Sequence, residues 1–221
     1  MSATQPDPQA RIRRELERVA PELVAIAGKF ATATLHESQA RTGALPSAIK
    51  PVHPSFRVCG PAITVHGPAG DNLWLHHAIY AAQPGDVLVV HVSGGYEFGY
   101  WGEIMSTAAQ VRGLGGLVID GCVRDGALLG DIGFPVFARG LCIRGTGKDT
   151  GAIGWVNAPV LFADVTVSPG DLIVGDGDGV VAVPRVSAAT VIEAARQREI
   201  KEAKVMEQLR GGATTLELYQ W

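Results

Sequence analysis

Two short apolar runs, "DVLVVHV" at 86–92 and "GLVID" at 116–120, constrain this chain more than any other feature. Each is too short for a buried helix and rich in β-branched residues, so each reads as a strand covered on both faces. Between them lie the glycine-rich "SGGYEFGYWGE" and a helical stretch from about Gly102 to Arg112, closed by Gly113. A short helix from about Arg124 to Gly130 and a further strand in "PVFAR" follow. Strand, helix, strand, helix, strand at this spacing demands parallel pairing with right-handed crossovers. The fold class is therefore α/β. In such sheets ligands collect at the carboxyl ends of the strands, where the glycine loop and the cluster Asp120, Arg124 and Asp125 both fall.

The flanks complete the outline. Apolar residues recur at helical spacing from about Gln9 to Ala27, with a break at Pro21, and a second, shorter helix is expected around His36 to Arg41. "FRVCGPAITVHG" alternates like a strand, with Gly60-Pro61 as a bulge or bend, and "DNLWLHHAIYAA" reads as a helix capped by Asp71 or Asn72. From Ile143 to Val183 the pattern is β-rich, with turns at Pro169-Gly170-Asp171 and Asp176-Gly177-Asp178-Gly179. A long, charged C-terminal helix begins with Ser187 as its N-cap. Residues 1–8 read as a flexible tail and 9–221 as one α/β domain.

Composition excludes several function classes. A chain that is 47% hydrophobic and 19% charged builds a sizeable core and is not disordered. A net charge of −3, with no long Lys/Arg run, argues against a nucleic-acid groove. No apolar run is long enough to span a membrane, and the N-terminal segment has no signal-peptide character. Cys59, Cys122 and Cys142 show no CxxC spacing, so they read as reduced thiols in a cytoplasmic protein, not as a zinc site or disulfide frame.

The candidate chemistry sits in "CVRDG" and "GYWGEIM". An aspartate at a strand end is a hard-oxygen ligand for Mg²⁺ or Mn²⁺, ions that take one or two protein carboxylates and fill the rest with water and substrate. The adjacent Arg124 offers a planar fork for a carboxylate. Together they suit a 2-oxo acid. Asp125 as a simple helix cap, in a surface ion pair, fits the local sequence as well. The helix that opens after Gly102 would aim the amides of Glu103, Ile104 and Met105 into the same crevice, where an anion is favoured; a flexible turn is the plain alternative. Glu103 either caps its helix or faces a metal through water. The glycine spacing fits no nucleotide loop. Asp176 and Asp178 lack the terminal Glu of a calcium loop and read as a turn. The six histidines form no ligand motif and read as packing or surface residues; the four tryptophans read as core or subunit contacts.

The segments "PGDVLVVHVSGGYEFGYWGEIMSTAAQVRGLGGLVIDGCVRD", "GFPVFARGLCIRGTGKD" and "VSPGDLIVGDGDGVVAVPR" resemble the family that joins the regulator-of-ribonuclease-E-activity proteins to the class II 4-hydroxy-4-methyl-2-oxoglutarate/4-carboxy-4-hydroxy-2-oxoadipate aldolases. The likeness runs over roughly residues 30 to 219, and "TLHESQARTGALPSAIKPV" leans toward the aldolase branch. The resemblance implies a swivelling β/β/α-type domain with a central mixed sheet, assembled as trimers or hexamers with interfacial active sites. It implies Asp125 as the direct Mg²⁺ or Mn²⁺ ligand, Arg124 on the pyruvyl carboxylate and the enolate, and Glu103 near the water shell of the metal, where aspartate is the usual residue. Ile104 and Met105, beside Gly102, would donate amides to substrate, with Lys148 as an auxiliary cation. Glu199, or alternatively Glu202, of a neighbouring subunit would also reach the metal's water. Two departures stand out. Leu128 occupies a position that is acidic in some members, and the chain stops at "LELYQW", where relatives run on. The activity implied is a metal-dependent retro-aldol cleavage yielding pyruvate, with oxaloacetate decarboxylation as a side activity. A non-catalytic regulator of an RNA-degrading enzyme and a dedicated oxaloacetate decarboxylase are the alternatives.

Overall fold

The computed structural model describes residues 11–221; the expected tail at 1–8 lies outside them. Four parallel strands carry the fold: β2 (Val58–His66), β3 (Val87–His91), β4 (Gly116–Ile119) and β6 (Val136–Ala138). Helix α3 (Leu73–Ala81) crosses from β2 to β3, α4 (Glu103–Val111) from β3 to β4, and α5 (Gly126–Ile132) from β4 to β6. Every residue of β4, and all but the last of β3, is buried, as strands covered on both faces require.

Antiparallel strands flank this parallel core, and the short strands β8 (Trp155–Val156), β9 (Val160–Phe162) and β10 (Val165–Val167) follow it in the chain. β1 (Lys50–Pro51) pairs with β6 at one edge, while β11 (Leu172–Asp176) pairs with β2 and then with β12 (Gly179–Val183) at the other. The residues just before β1 then reach round to β12: Leu45 donates to the Val180 carbonyl at 2.9 Å, and the Ala182 N–H donates to the Gly43 carbonyl at 2.8 Å. The mixed sheet is thereby nearly closed. Gly43 has φ +77°, and a Cβ there would lie 2.2 Å from the Ala182 carbonyl oxygen, so this closure requires glycine.

Two apolar clusters stabilise the two sides of the sheet. One gathers Trp74, Leu75, Ala109, Phe134 and Phe137 around β2–β6. The other packs α1 (Pro21–Ala27), α2 (Thr32–Ser38) and the first turns of α6 (Ala188–Arg210) on β11 and β12. Beyond Ala195 no residue of α6 is buried. The long C-terminal helix is present, with Ser187 at the N-cap position; its hydroxyl donates to the Pro184 carbonyl and does not cap.

Three local expectations are corrected. The helix expected from Gln9 begins only at Pro21; Gln9 and Ala10 lie outside the described residues, and residues 13–20 are not helical. Their backbone is recruited elsewhere, Arg13 donating to the Val156 carbonyl at 3.2 Å and Val19 to that of Gly170 at 3.0 Å. Arg18 meanwhile clamps buried Asp86 with two bonds of 2.8 and 2.9 Å. The second helix starts at Thr32, four residues earlier than His36, because Asp176 at the end of β11 accepts both the Thr32 N–H (2.9 Å) and its hydroxyl (2.7 Å). A carboxylate 144 residues away thus does the work of an N-cap. A short terminal helix, α7 (Thr215–Tyr219), was not expected; Thr214 and Glu217 close it with a reciprocal capping box.

Candidate active site

The site is built where β4 and its neighbour end. Arg124 and Asp125 follow the short strand β5 (Cys122–Val123), which pairs with β7 (Gly140–Leu141). The Arg124 N–H donates to the Trp101 carbonyl at 2.8 Å, tying this turn to the glycine loop. Asp125 stands at the N-cap position of α5 in the left-handed conformation, φ 63°, which aspartate tolerates better than most residues. Its carboxylate does not cap that helix. It turns to α4 instead, where Asp125 Oδ2 accepts the Glu103 N–H at 3.1 Å. Asp125 thus holds the N-cap position of α5 while its side chain serves the first N–H of α4.

The approach depends on Gly102. A Cβ at Gly102 would sit 2.3 Å from Asp125 Oδ2 and 3.1 Å from Arg124 Cγ. Gly102 is in extended backbone that any residue adopts, so the requirement is purely one of space. Arg124 Nε lies 3.7 Å from Asp125 Oδ2, and both side chains are partly exposed. Asp125 Oδ1 makes no hydrogen bond among the described residues.

The pair forms part of the wall of a cavity of about 240 Å³ that Glu103, Ile104, Met105, His76 and Lys148 also line. Ile104 and Met105 lie in the first turn of α4, where amides lack an intrahelical acceptor, and neither N–H finds a partner among the described residues. A second, more apolar cavity of about 440 Å³ begins on the other side of Arg124 and Asp125, against Leu141 and Ile143. The structure brings together Arg124, Asp125, Gly102, Glu103, Ile104, Met105 and Lys148. Glu199 and Glu202 are on α6 and do not line the cavity of their own chain; Glu202 is paired with Arg198 at 2.7 Å. Leu128 is on α5, half exposed.

Asp120 has a different job. Its buried carboxylate accepts Arg139 Nε at 2.6 Å, and the Arg139 guanidinium lies over the Tyr96 ring at 3.9 Å. The motif "IDGCVRD" therefore holds one structural and one site carboxylate. Asp71 was expected as a helix cap and does more. Its Oδ1 accepts the Leu73 N–H at 2.8 Å, and its Oδ2 accepts the Asp149 N–H at 2.6 Å, binding the loop that carries Lys148 to the start of α3.

Asn72, His76, Gly99, Tyr100 and Trp101 also line the cavity and escaped the sequence reading. His76 lines the cavity from α3, and burial, then Lys148 and His77, push its pKa below the ordinary 6.5 against an opposing pull from Asp71. Asn72 lies one turn earlier on the same helix edge; its Nδ2 donates to the Tyr100 carbonyl at 2.9 Å, and its buried Oδ1 has no partner. A 72/76 spacing of polar residues on one helical face was the available signal. The cysteines are free, and burial raises the Cys59 pKa to about 11, which makes that thiol inert.

Among the described residues no group of three His, Cys, Asp or Glu side chains is placed to hold a metal ion. One free carboxylate oxygen with a second carboxylate on the same wall fits only a hard cation that keeps most of its water, which is how Mg²⁺ and Mn²⁺ bind. No helix among the described residues is long and apolar enough to cross a membrane.

A family model described as "RraA-like: Aldolase/RraA" matches residues 26–182. The chain belongs to the RraA-like family. A Halalkalibacterium halodurans protein named "Putative 4-hydroxy-4-methyl-2-oxoglutarate aldolase" is 39% identical over 155 residues, covering 70% of this chain and 73% of that protein. Among solved structures, an uncharacterized protein from Pseudomonas syringae pv. tomato superposes with a TM-score of 0.79 at 30% identity, over 90% of this chain and 93% of that one. Streptomyces coelicolor RraAS2, described as an unusual member of the RNase ES inhibitor RraA protein family, superposes with a TM-score of 0.76 at 28% identity, over 87% and 99%. These RraA-like neighbours carry the same mixed α/β fold, as the family resemblance in the sequence implied.

Proposed function

We propose that this RraA-like chain is a divalent-metal-dependent class II aldolase. It cleaves 4-hydroxy-4-methyl-2-oxoglutarate or 4-carboxy-4-hydroxy-2-oxoadipate to pyruvate plus pyruvate or oxaloacetate, and decarboxylates oxaloacetate as a side activity. The observation that carries the reading is Arg124 and Asp125 side by side, 3.7 Å apart, in a cavity into which α4 brings two unpaired amides. The aldolase name of the 39% identical relative supports the same class.

The Arg124 fork binds the substrate carboxylate, and the N–H groups of Ile104 and Met105 take a second oxygen of the 2-oxo acid end. Cleavage of the C3–C4 bond puts negative charge on that end as an enolate. Arg124 and the N-terminus of α4 act where this charge develops, which is where stabilisation accelerates the reaction. Lys148 suits the carboxylate of the leaving half. Asp125 would hold Mg²⁺ or Mn²⁺, with Glu103 acting through water and Glu199 of the partner subunit, or alternatively Glu202 of the partner subunit, doing the same. The metal supplies Lewis-acid stabilisation of the developing oxyanion. The exposed half of α6 suits a homo-oligomer, trimer or hexamer, whose sites lie between subunits.

The test is kcat/KM for pyruvate release over a panel of 2-oxo acids with Mg²⁺ or Mn²⁺. The proposal expects the 4-hydroxy-2-oxo acids to lead and oxaloacetate to follow. A panel led by oxaloacetate, with no cleavage of the hydroxy acids, makes the protein a dedicated decarboxylase. The likeness to RraAS2 favours one second reading, a regulator that binds an RNA-degrading enzyme. In that case no member of the panel turns over, and binding to that enzyme survives Arg124→Ala.

A further inference from the structure

The reaction proposed above needs a base for the 4-hydroxyl proton; Arg124, Lys148 and the α4 amides can only donate, and the carboxylates of Asp125 and Glu103 are the groups assigned above to the metal and its water. We infer that His76 is that base, a catalytic residue contributed by α3. It lines the same cavity as Arg124 and Asp125, from a different element. Its ring is partly buried and makes no hydrogen bond to any described residue.

The charged and titratable groups around the imidazole are His77 on its own helix, Asp71 just before that helix, and Lys148 from the adjoining loop. Across the cavity stand Glu103 on α4, with Arg124 and Asp125 at the start of α5. Burial, Lys148 and His77 lower the pKa of the ring from the ordinary 6.5 against the opposing pull of Asp71, which favours the neutral, proton-accepting form. Asn72, four residues earlier on the same edge of α3, carries an acceptor oxygen that is buried and unpaired. Its Nδ2 is committed to the Tyr100 carbonyl, which fixes the amide orientation. The Asn72 acceptor oxygen is fully buried, so the acceptor that this wall presents to a ligand is the His76 ring.

In the step assigned to His76, a neutral ring nitrogen takes the proton of the C4 hydroxyl. The oxygen lone pair forms the C4 carbonyl, the C3–C4 bonding pair becomes the C2–C3 double bond, and the C2 carbonyl π pair moves onto its oxygen, giving pyruvate enolate at the Arg124 end. The imidazolium returns its proton to C3, directly or through water. One proton has moved from O4 to C3, and no oxidant or co-reactant is consumed.

This inference rests on the aldolase reading, and the test separates the two. Wild type and His76→Gln are compared in cleavage of 4-hydroxy-4-methyl-2-oxoglutarate and in decarboxylation of oxaloacetate, which has no hydroxyl to deprotonate. The expected result is a loss of about 10²–10⁴-fold in cleavage, with decarboxylation retained within a few-fold. Equal loss of both activities, or no loss of cleavage, overturns the assignment. Wild type that decarboxylates without cleaving overturns the aldolase reading and this inference together. Lys148→Met provides a readout with His76 intact. Removing that charge must shift the acidic limb of kcat/KM for cleavage upward, and an unmoved limb also overturns the proposal.

Discussion

Asp125 reaches past its own helix to accept the backbone N–H of Glu103 at 3.1 Å, so one carboxylate joins the start of α5 to the start of α4. The bond fixes Asp125 Oδ2 and leaves Oδ1 without a hydrogen bond among the described residues. Everything proposed about metal and substrate depends on this link.

Gly102→Ala tests the link without touching a functional group. The added methyl would overlap Asp125 Oδ2, displacing the carboxylate and pushing on Arg124. Pyruvate release should fall at least about 10²-fold, as expected when reacting groups are misplaced by about 1 Å. The thermal midpoint should stay near that of wild type, since the φ of −161° suits alanine. Full activity in this variant would show that the Asp125 position is not critical.

The two carboxylates of "IDGCVRD" should fail differently. Asp120→Ala leaves Arg139 without its 2.6 Å partner beneath the sheet end, at a cost on the order of 3 kcal/mol. It should lower the denaturation midpoint strongly. Asp125→Asn should abolish turnover and leave the midpoint almost unchanged. Equal stability losses from the two variants would contradict the division of labour.

Asp71→Ala releases the two N–H groups that couple the Lys148 loop to α3. KM for a substrate with a carboxylate on the leaving half should rise about tenfold, with a stability cost of about 1–3 kcal/mol. Steady-state kinetics with and without that carboxylate checks it. Unchanged KM values would detach the loop from substrate binding.

His66 and His91 set a pH dependence away from the site. Their Nδ1 atoms lie 3.4 Å apart, and burial pushes both pKa values below 6.5; His91 lowers His66 further, while Asp120 partly offsets the effect on His91. Below pH 6.5 the unfolded chain binds more protons than the folded one, so stability falls as pH drops through that value. The thermal midpoint should decline from pH 6.5 toward 5, and the His66→Gln/His91→Gln double variant should decline less. Identical pH slopes in the two proteins would remove the pair as the cause.

The parallel core was readable because β3 and β4 are short, apolar and separated by helical spacing, which leaves few topologies. Arg124, Asp125 and Glu103 were readable for the same reason, since strand ends place them in one crevice. What the sequence hid was long-range. Nothing near Thr32 announces that Asp176 will cap its helix, and nothing near Arg13 or Val19 announces that their amides will pair with Val156 and Gly170. Local periodicity therefore extended one helix too far toward the N-terminus and started another too late. His76 was hidden by a similar limit. A histidine inside an apolar helix looks like packing until the fold shows that its helix edge borders a cavity.

The most direct test of the central claim is pyruvate release from 4-hydroxy-4-methyl-2-oxoglutarate by the metal-stripped protein, with Mg²⁺ or Mn²⁺ then added back to wild type and to Asp125→Asn. The account predicts no turnover after stripping, recovery in wild type and none in the variant. Undiminished turnover after exhaustive chelation, or full recovery in Asp125→Asn, would contradict it.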